Sequence, residues 1–108
     1  MKEVLNNAEE FMAAGEDNIK KNRWNAATTD FFKAITCFSD YLIYREIKRL
    51  PKTHNDRFSL LKKYFVEIYT PATKLFETYR RSYNNRLTKE EAQAVKDYAL
   101  ILRTKVSH

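Results

Sequence analysis

One stretch, residues 22–50, constrains the fold more than any other part of the chain. It holds no Gly or Pro, and at helical spacing its apolar side chains fall on two adjoining stripes. A surface helix needs only one such stripe. A helix with two stripes contacts partners on more than one side, so we expect this segment to be the central helix of a bundle. The first stripe is Trp24, Ala27, Phe31, Ala34, Phe38 and Leu42, and the second is Phe32, Ile35, Ser39, Ile43 and Ile47.

The first segment, residues 2–21, predicts an amphipathic helix. Its apolar side chains recur at spacings of three and four, and the basic Lys20 and Lys21 at its end suit the helix dipole. Gly15 lies on the apolar stripe, although Gly costs about 1 kcal/mol relative to Ala inside a helix. We therefore expect another helix to approach closely at Gly15. Asn22 then ends this helix or caps the next one, since Asn tolerates both positions.

A third helical segment follows the break at Pro51. Thr53 or Asn55 caps its start. Thr70 and Pro71 interrupt the segment, because proline lacks an amide donor and its ring clashes with the preceding turn. Helical spacing resumes after Pro71. We expect one long helix that is bent at Pro71.

The last helix has the clearest start signal in the chain. Thr88 and Glu91 match a capping box, in which each side chain satisfies a backbone amide of the other residue. With one Gly and two Pro, the chain has little turn material for a sheet. Four amphipathic helices with short connections predict an all-α fold, an antiparallel up-and-down four-helix bundle that forms a single domain over residues 1–108.

Composition excludes several kinds of site. A single Gly rules out a Gly-rich phosphate loop, and Cys37 with the internal His54 provides neither a zinc ligand set nor an obvious Cys-His pair. We therefore expect no metal and no cofactor, with Cys37 as a core thiol. The longest apolar run, residues 98–102, is far shorter than the roughly 18 residues of a spanning helix, and residues 1–10 show no secretory signal. These features predict a cytoplasmic protein without a membrane segment.

Positive charge is concentrated in the second half of the chain. Residues 51–87 hold eight basic and three acidic residues, whereas residues 1–22 hold three basic and five acidic ones. Near residue 80, arginine forks that suit phosphate oxygens occur beside tyrosine, whose ring stacks on bases. The alternative is a basic helix terminus whose cations satisfy the last carbonyls. The candidate nucleotide- or RNA-binding residues in this cluster are Arg80, Arg81, Tyr83, Asn84, Asn85 and Arg86.

The order of several short segments resembles the HEPN superfamily of small helical-bundle proteins. The segments are RWNAA at 23–27 with DFFKAI at 30–35, KTH at 52–54, the arginine at 80 or 81, and EEA at 90–92 followed by YA at 98–99. They are similar to the family's second helix, its short Thr-His connection, its motif arginine and the start of its last helix. The likeness covers nearly the full length and implies a HEPN-like bundle.

The ribonuclease members of that family carry an arginine, four to six intervening residues and a histidine, paired across a homodimer. No histidine follows Arg80 or Arg81 at those distances. Asn and Arg cannot exchange a proton near neutral pH. The resemblance therefore implies a non-catalytic, homodimeric binding module that recognises a nucleotide or RNA, or acts as the partner of a small nucleotidyltransferase in a toxin–antitoxin-like system. One alternative is a divergent ribonuclease using Tyr83, Asn84 or His54, and another is a structural oligomerisation or adaptor bundle.

Two further assignments stay open at the level of sequence. His54, the only internal imidazole, is either a loop hydrogen-bonding residue or part of the ligand site. The second stripe of the central helix is either core or, at Phe32, Ser39 and Ile43, a dimer surface. We expect the role of this second stripe, core or dimer surface, to bear on the function of the protein.

Overall fold

The computed structural model describes all 108 residues, with five helices and no strand. The prediction of an all-α bundle is confirmed. The expected count of four helices is not found, because the third segment forms two helices. None of the five has the length and apolarity needed to cross a bilayer. The helices are α1 (Lys2–Lys20), α2 (Trp24–Ile47), α3 (His54–Tyr64), α4 (Val66–Arg81) and α5 (Lys89–Val106).

The break in the third segment lies at Phe65, and the prediction of one helix bent at Pro71 is wrong. Phe65 has φ −141° and ψ 62°, outside helical geometry. Its amide donates to the carbonyl of Leu61 at 2.7 Å and closes α3. Pro71 lies inside α4. Proline removes the hydrogen bond to the carbonyl one turn earlier, at Glu67. α4 nevertheless continues through the proline, and the interruption lies six residues before it, at Phe65.

The central position of α2 is confirmed, since α2 contacts all four of the other helices. Phe31 of the first stripe meets α1, and Phe32 of the second stripe stacks on Tyr79 of α4 with ring centroids 4.8 Å apart. Both stripes are therefore core. The buried residues of α2 are Ala27, Thr28, Phe31, Phe32, Ala34, Ile35, Phe38, Ser39, Leu42 and Ile43.

The same burial corrects the predicted dimer surface. Phe32, Ser39 and Ile43 are 3%, 1% and 0% exposed within the single chain. Side chains that are covered by helices of their own chain cannot form a contact between two copies. The second stripe is thus part of the core, the alternative interpretation of its apolar pattern.

The helix ends follow local chemistry. Asn22 adopts the left-handed conformation with φ 58°. Its amide donates to the carbonyl of Ile19, and the amide of Arg23 donates to that of Asn18. This Schellman pattern ends α1, so Asn22 terminates the first helix and does not cap the second. At α5, the capping box of Thr88 and Glu91 is present as predicted.

Gly15 is a point of close approach between α1 and α2. A Cβ atom built on Gly15 would lie 2.7 Å from Cε1 and Cζ of Phe31. Phe31 is fully buried, so its ring has no open space into which it can move. The predicted close approach at Gly15 is confirmed, and its partner is the first stripe of α2.

We expect Gly15→Ala to lower the free energy of unfolding by about 1–2 kcal/mol, because overpacking outweighs the better helix propensity of Ala. Chemical denaturation measures the change. In a Phe31→Leu background the same substitution should lose its cost, since the ring atoms that meet the new methyl group are gone. A Gly15→Ala protein more stable than the parent would contradict this packing.

Candidate functional site

The two arginines of the predicted basic cluster are both paired on the protein surface. Arg80 donates to Glu77 at 3.1 Å, and both side chains are more than 60% exposed. Arg81 forms an ion pair with Glu91, the residue that also completes the capping box of α5. Pairing reduces the charge that these arginines offer to a phosphate. Arg81 instead connects the end of α4 to the start of α5.

The rest of the predicted cluster forms the turn after α4. Tyr83 is 74% exposed, and its hydroxyl lies 2.8 Å from that of Tyr79. The backbone amides of Asn84 and Asn85 donate to the carbonyl of Arg81. The Arg86 side chain is exposed and makes no hydrogen bond or ion pair with protein atoms. None of the residues from Arg80 to Arg86 lines a cavity.

Asn25 holds this turn in place, a role that no local sequence pattern indicates. Its side-chain amide donates to the carbonyls of Ser82 at 2.9 Å and Asn85 at 2.7 Å. Its side-chain oxygen accepts from the amide of Leu87 at 3.0 Å. One residue at the start of α2 therefore satisfies three backbone groups of the connection between α4 and α5.

His54 is the one predicted nucleotide- or RNA-binding residue that lines a cavity. The cavity has a volume of about 400 Å³ and lies where α2, the start of α3 and the end of α4 meet. Its lining combines three cationic side chains with aromatic rings and contains no carboxylate. The ten lining residues are Phe11, Phe32, Lys33, Thr36, Cys37, Lys52, Thr53, His54, Arg57 and Tyr79.

A chain of hydrogen bonds from α2 fixes the position of His54. Asp40 accepts from Nε and Nη2 of Arg57 at 2.6 and 2.9 Å. Both side chains of this ion pair are mostly buried. Nη1 of the same guanidinium lies 2.8 Å from Nδ1 of His54. A paired fork of this kind is both strong and geometrically specific. Arg57 is therefore held by Asp40 and in turn orients the imidazole.

The contact with Arg57 also determines the tautomer of His54. A guanidinium only donates hydrogen bonds, so Nδ1 must accept, and the neutral ring carries its hydrogen on Nε2. Desolvation of the ring, followed by the nearby charge of Arg57, lowers the pKa of His54 below its usual value. The ring also packs against Phe58 and Phe76. At neutral pH, His54 is thus a neutral donor through Nε2.

Lys33 and Lys52 supply the charge of the cavity that no ion pair takes up, although the charge of Lys52 helps to lower the pKa of the nearby Asp56. Neither ammonium group takes part in any of the six ion pairs of the protein. Nζ of Lys33 lies 5.7 Å from the centre of the Phe11 ring, a cation–π distance. The lining therefore carries two unpaired positive charges, in contrast to the paired arginines Arg80 and Arg81.

The remaining polar groups of the cavity are neutral. Burial, and then the charge of Asp40, raises the pKa of Cys37 to about 11. The hydrogen bond with Tyr83, together with burial, raises the pKa of Tyr79 to about 12. A protonated thiol is a poor nucleophile. The structure contains no group of three or more His, Cys, Asp or Glu side chains that could hold a metal ion. The arrangement is suited to binding.

Most of this site is not evident from the sequence, although one signal for it is present. Lys33, Thr36, Cys37 and Asp40 follow the spacing i, i+3, i+4 and i+7. They form a polar stripe on a helix that is otherwise apolar on its neighbouring faces. Pairing of this stripe with Arg57 depends on the tertiary fold.

Comparison with protein-family models, with curated proteins and with solved structures finds no match for this chain. The resemblance to HEPN proteins therefore stays a prediction.

The lowered pKa of His54 predicts a specific dependence of stability on pH. The unfolded chain binds a proton at a pKa of about 6.5, before the folded protein does. The neutral His54 thus contributes to the free energy of unfolding above pH 6.5, and this contribution is lost as the pH falls below 6.5. We expect the free energy of unfolding, measured with urea between pH 7.5 and 5.5, to fall more steeply for the parent than for His54→Gln. Identical slopes would contradict the assignment of a neutral His54.

Proposed function

We propose that this chain is a binding module for a nucleotide, and that the cavity around His54 is its site. The observation that carries the proposal is the pair of unpaired ammonium groups, Lys33 and Lys52, beside aromatic side chains in one cavity without a carboxylate. Its volume of about 400 Å³ falls within the range of small-molecule sites, roughly 300–1,000 Å³. A nucleotide combines the two features that such a lining recognises, an anion and a flat apolar base.

Each part of the lining has a distinct role in this proposal. The lysines and Nε2 of His54 bind the phosphate, because all three groups donate hydrogen bonds and two of them carry positive charge. The base lies against the apolar part of the lining, where Phe11 and Tyr79 offer aromatic surface. Arg57 is a positioning residue, since its charge is compensated by Asp40.

The proposal includes the HEPN assignment. An all-helical bundle with a basic, non-catalytic site fits the expectation that the resemblance gave. A homodimer and a small nucleotidyltransferase partner are further parts of that expectation. Both are compatible with a binding role. The covered stripe of α2 leaves a dimer contact to other surfaces.

A divergent ribonuclease is the second candidate, and one observation favours it. Arg80 and His54 both contact the ring of Phe76, at 5.9 and 5.2 Å from its centre. An arginine and a histidine are the residue types that RNA cleavage requires. However, Nδ1 of His54 is occupied by Arg57 and Nε2 already carries a hydrogen. His54 therefore lacks a free acceptor with which to remove a proton, and binding is the better supported function.

The proposal is tested by calorimetric titration of adenosine and guanosine monophosphates into the protein across a salt series. Affinity should fall as salt rises, because the contacts are ionic. We expect Lys33→Gln/Lys52→Gln to weaken binding by about tenfold or more, since each charge-assisted hydrogen bond contributes about 1.5–3 kcal/mol.

The matched control is Arg80→Ala/Arg81→Ala, which removes the same number of positive charges outside the cavity. This control should bind nearly as well as the parent. If it loses binding while the lysine variant keeps it, the site is the surface cluster and the cavity is excluded. Cleavage of structured RNA by the parent that is lost in both His54→Ala and Arg80→Ala would favour the ribonuclease instead.

A further inference from the structure

The charge of the cavity lining specifies the charge of its ligand. Three cations line the cavity and no carboxylate does. Asp40 compensates Arg57 through two hydrogen bonds. Lys33 and Lys52 form no ion pair, and Asp56, which the charge of Lys52 reaches, is already paired with Arg49, so both ammonium groups can bind a ligand.

The hydrogen-bonding character of the lining is equally one-sided. Lysine has only donors, and His54 presents Nε2–H because Nδ1 faces Arg57. The Thr53 hydroxyl oxygen already accepts from the amide of Asp56 at 3.0 Å, which leaves its hydrogen to donate. A ligand here meets several donors and few acceptors. It must therefore be rich in acceptor oxygens.

We infer that the cavity selects a terminal phosphomonoester over a phosphodiester, so that its ligand is a nucleoside monophosphate and not an RNA strand. This inference rests on the proposed nucleotide binding. A phosphomonoester carries a charge of about −1.5 to −2 at pH 7 and three acceptor oxygens. A phosphodiester carries a single charge, which would leave one of Lys33 and Lys52 uncompensated.

A pair of ligands with the same base that differ in the class of phosphate ester tests the inference. Adenosine 5′-monophosphate and adenosine 3′,5′-cyclic monophosphate share base and ribose, but only the first is a monoester. We expect calorimetry at pH 7.5 and low salt to show about tenfold tighter binding of the monoester, the effect of one additional charge-assisted hydrogen bond. The same comparison with guanosine 5′-monophosphate and guanosine 3′,5′-cyclic monophosphate shows whether the preference depends on the base.

Single-charge variants locate the source of the preference. Lys33→Gln and Lys52→Gln should each reduce the ratio of the two affinities, because one ammonium group is enough for a diester. Lys74→Gln is the matched control, since Lys74 is an exposed lysine of α4 outside the cavity. In Lys74→Gln the ratio of the affinities for the monoester and the cyclic diester should equal the ratio in the parent.

The outcomes separate this inference from the proposed function. Equal affinity for the monoester and the cyclic diester, or tighter binding of single-stranded RNA than of either, would overturn the inference and leave nucleotide binding intact. Failure of all four nucleotides to bind would overturn both. A preference that persists unchanged in the two lysine variants would also overturn the assignment to Lys33 and Lys52.

Discussion

Burial of both apolar faces of α2 is the constraint on which the rest of the structure depends. Phe31 meets Gly15 of α1, and the next residue, Phe32, stacks on Tyr79 of α4. Adjacent helical residues point about 100° apart, so one helix serves partners on different sides. The remaining helices surround it, and ion pairs such as Arg103 with Glu9 join α5 to α1.

The candidate site follows from the part of α2 that is not apolar. Beside its two stripes runs the polar series that begins at Lys33 and ends at Asp40. There the start of α3 approaches, and Asp40 binds Arg57 at 2.6 Å. This pair uses one cation to orient His54, while Lys33 and Lys52 take part in no ion pair. Two of the cavity's three cations take part in no ion pair, whereas in the surface cluster at residues 80–86 Arg80 and Arg81 are paired and only Arg86 is not.

Features that depend on neighbouring residues could be predicted from the sequence. The capping box at Thr88 and the close approach at Gly15 are of this kind, because capping and periodicity are local. The break at Phe65 was not predictable from propensity, since Pro71 is the stronger breaker by residue type. Nor could the sequence tell that Arg81 is paired with Glu91. That contact forms only when the fold brings α4 and α5 together. From the sequence alone, Arg80 and Arg81 are therefore interpreted as free charges.

The central claim is that the ligand-binding site is the cavity beside α2 and not the basic turn after α4. Amide chemical-shift mapping by NMR, with adenosine 5′-monophosphate added to the isotope-labelled protein, tests it most directly. The account predicts the largest shifts within residues 33–37 of α2 and within residues 52–57 around the start of α3, the two segments that supply most of the cavity lining. Shifts confined to residues 80–86 would contradict it.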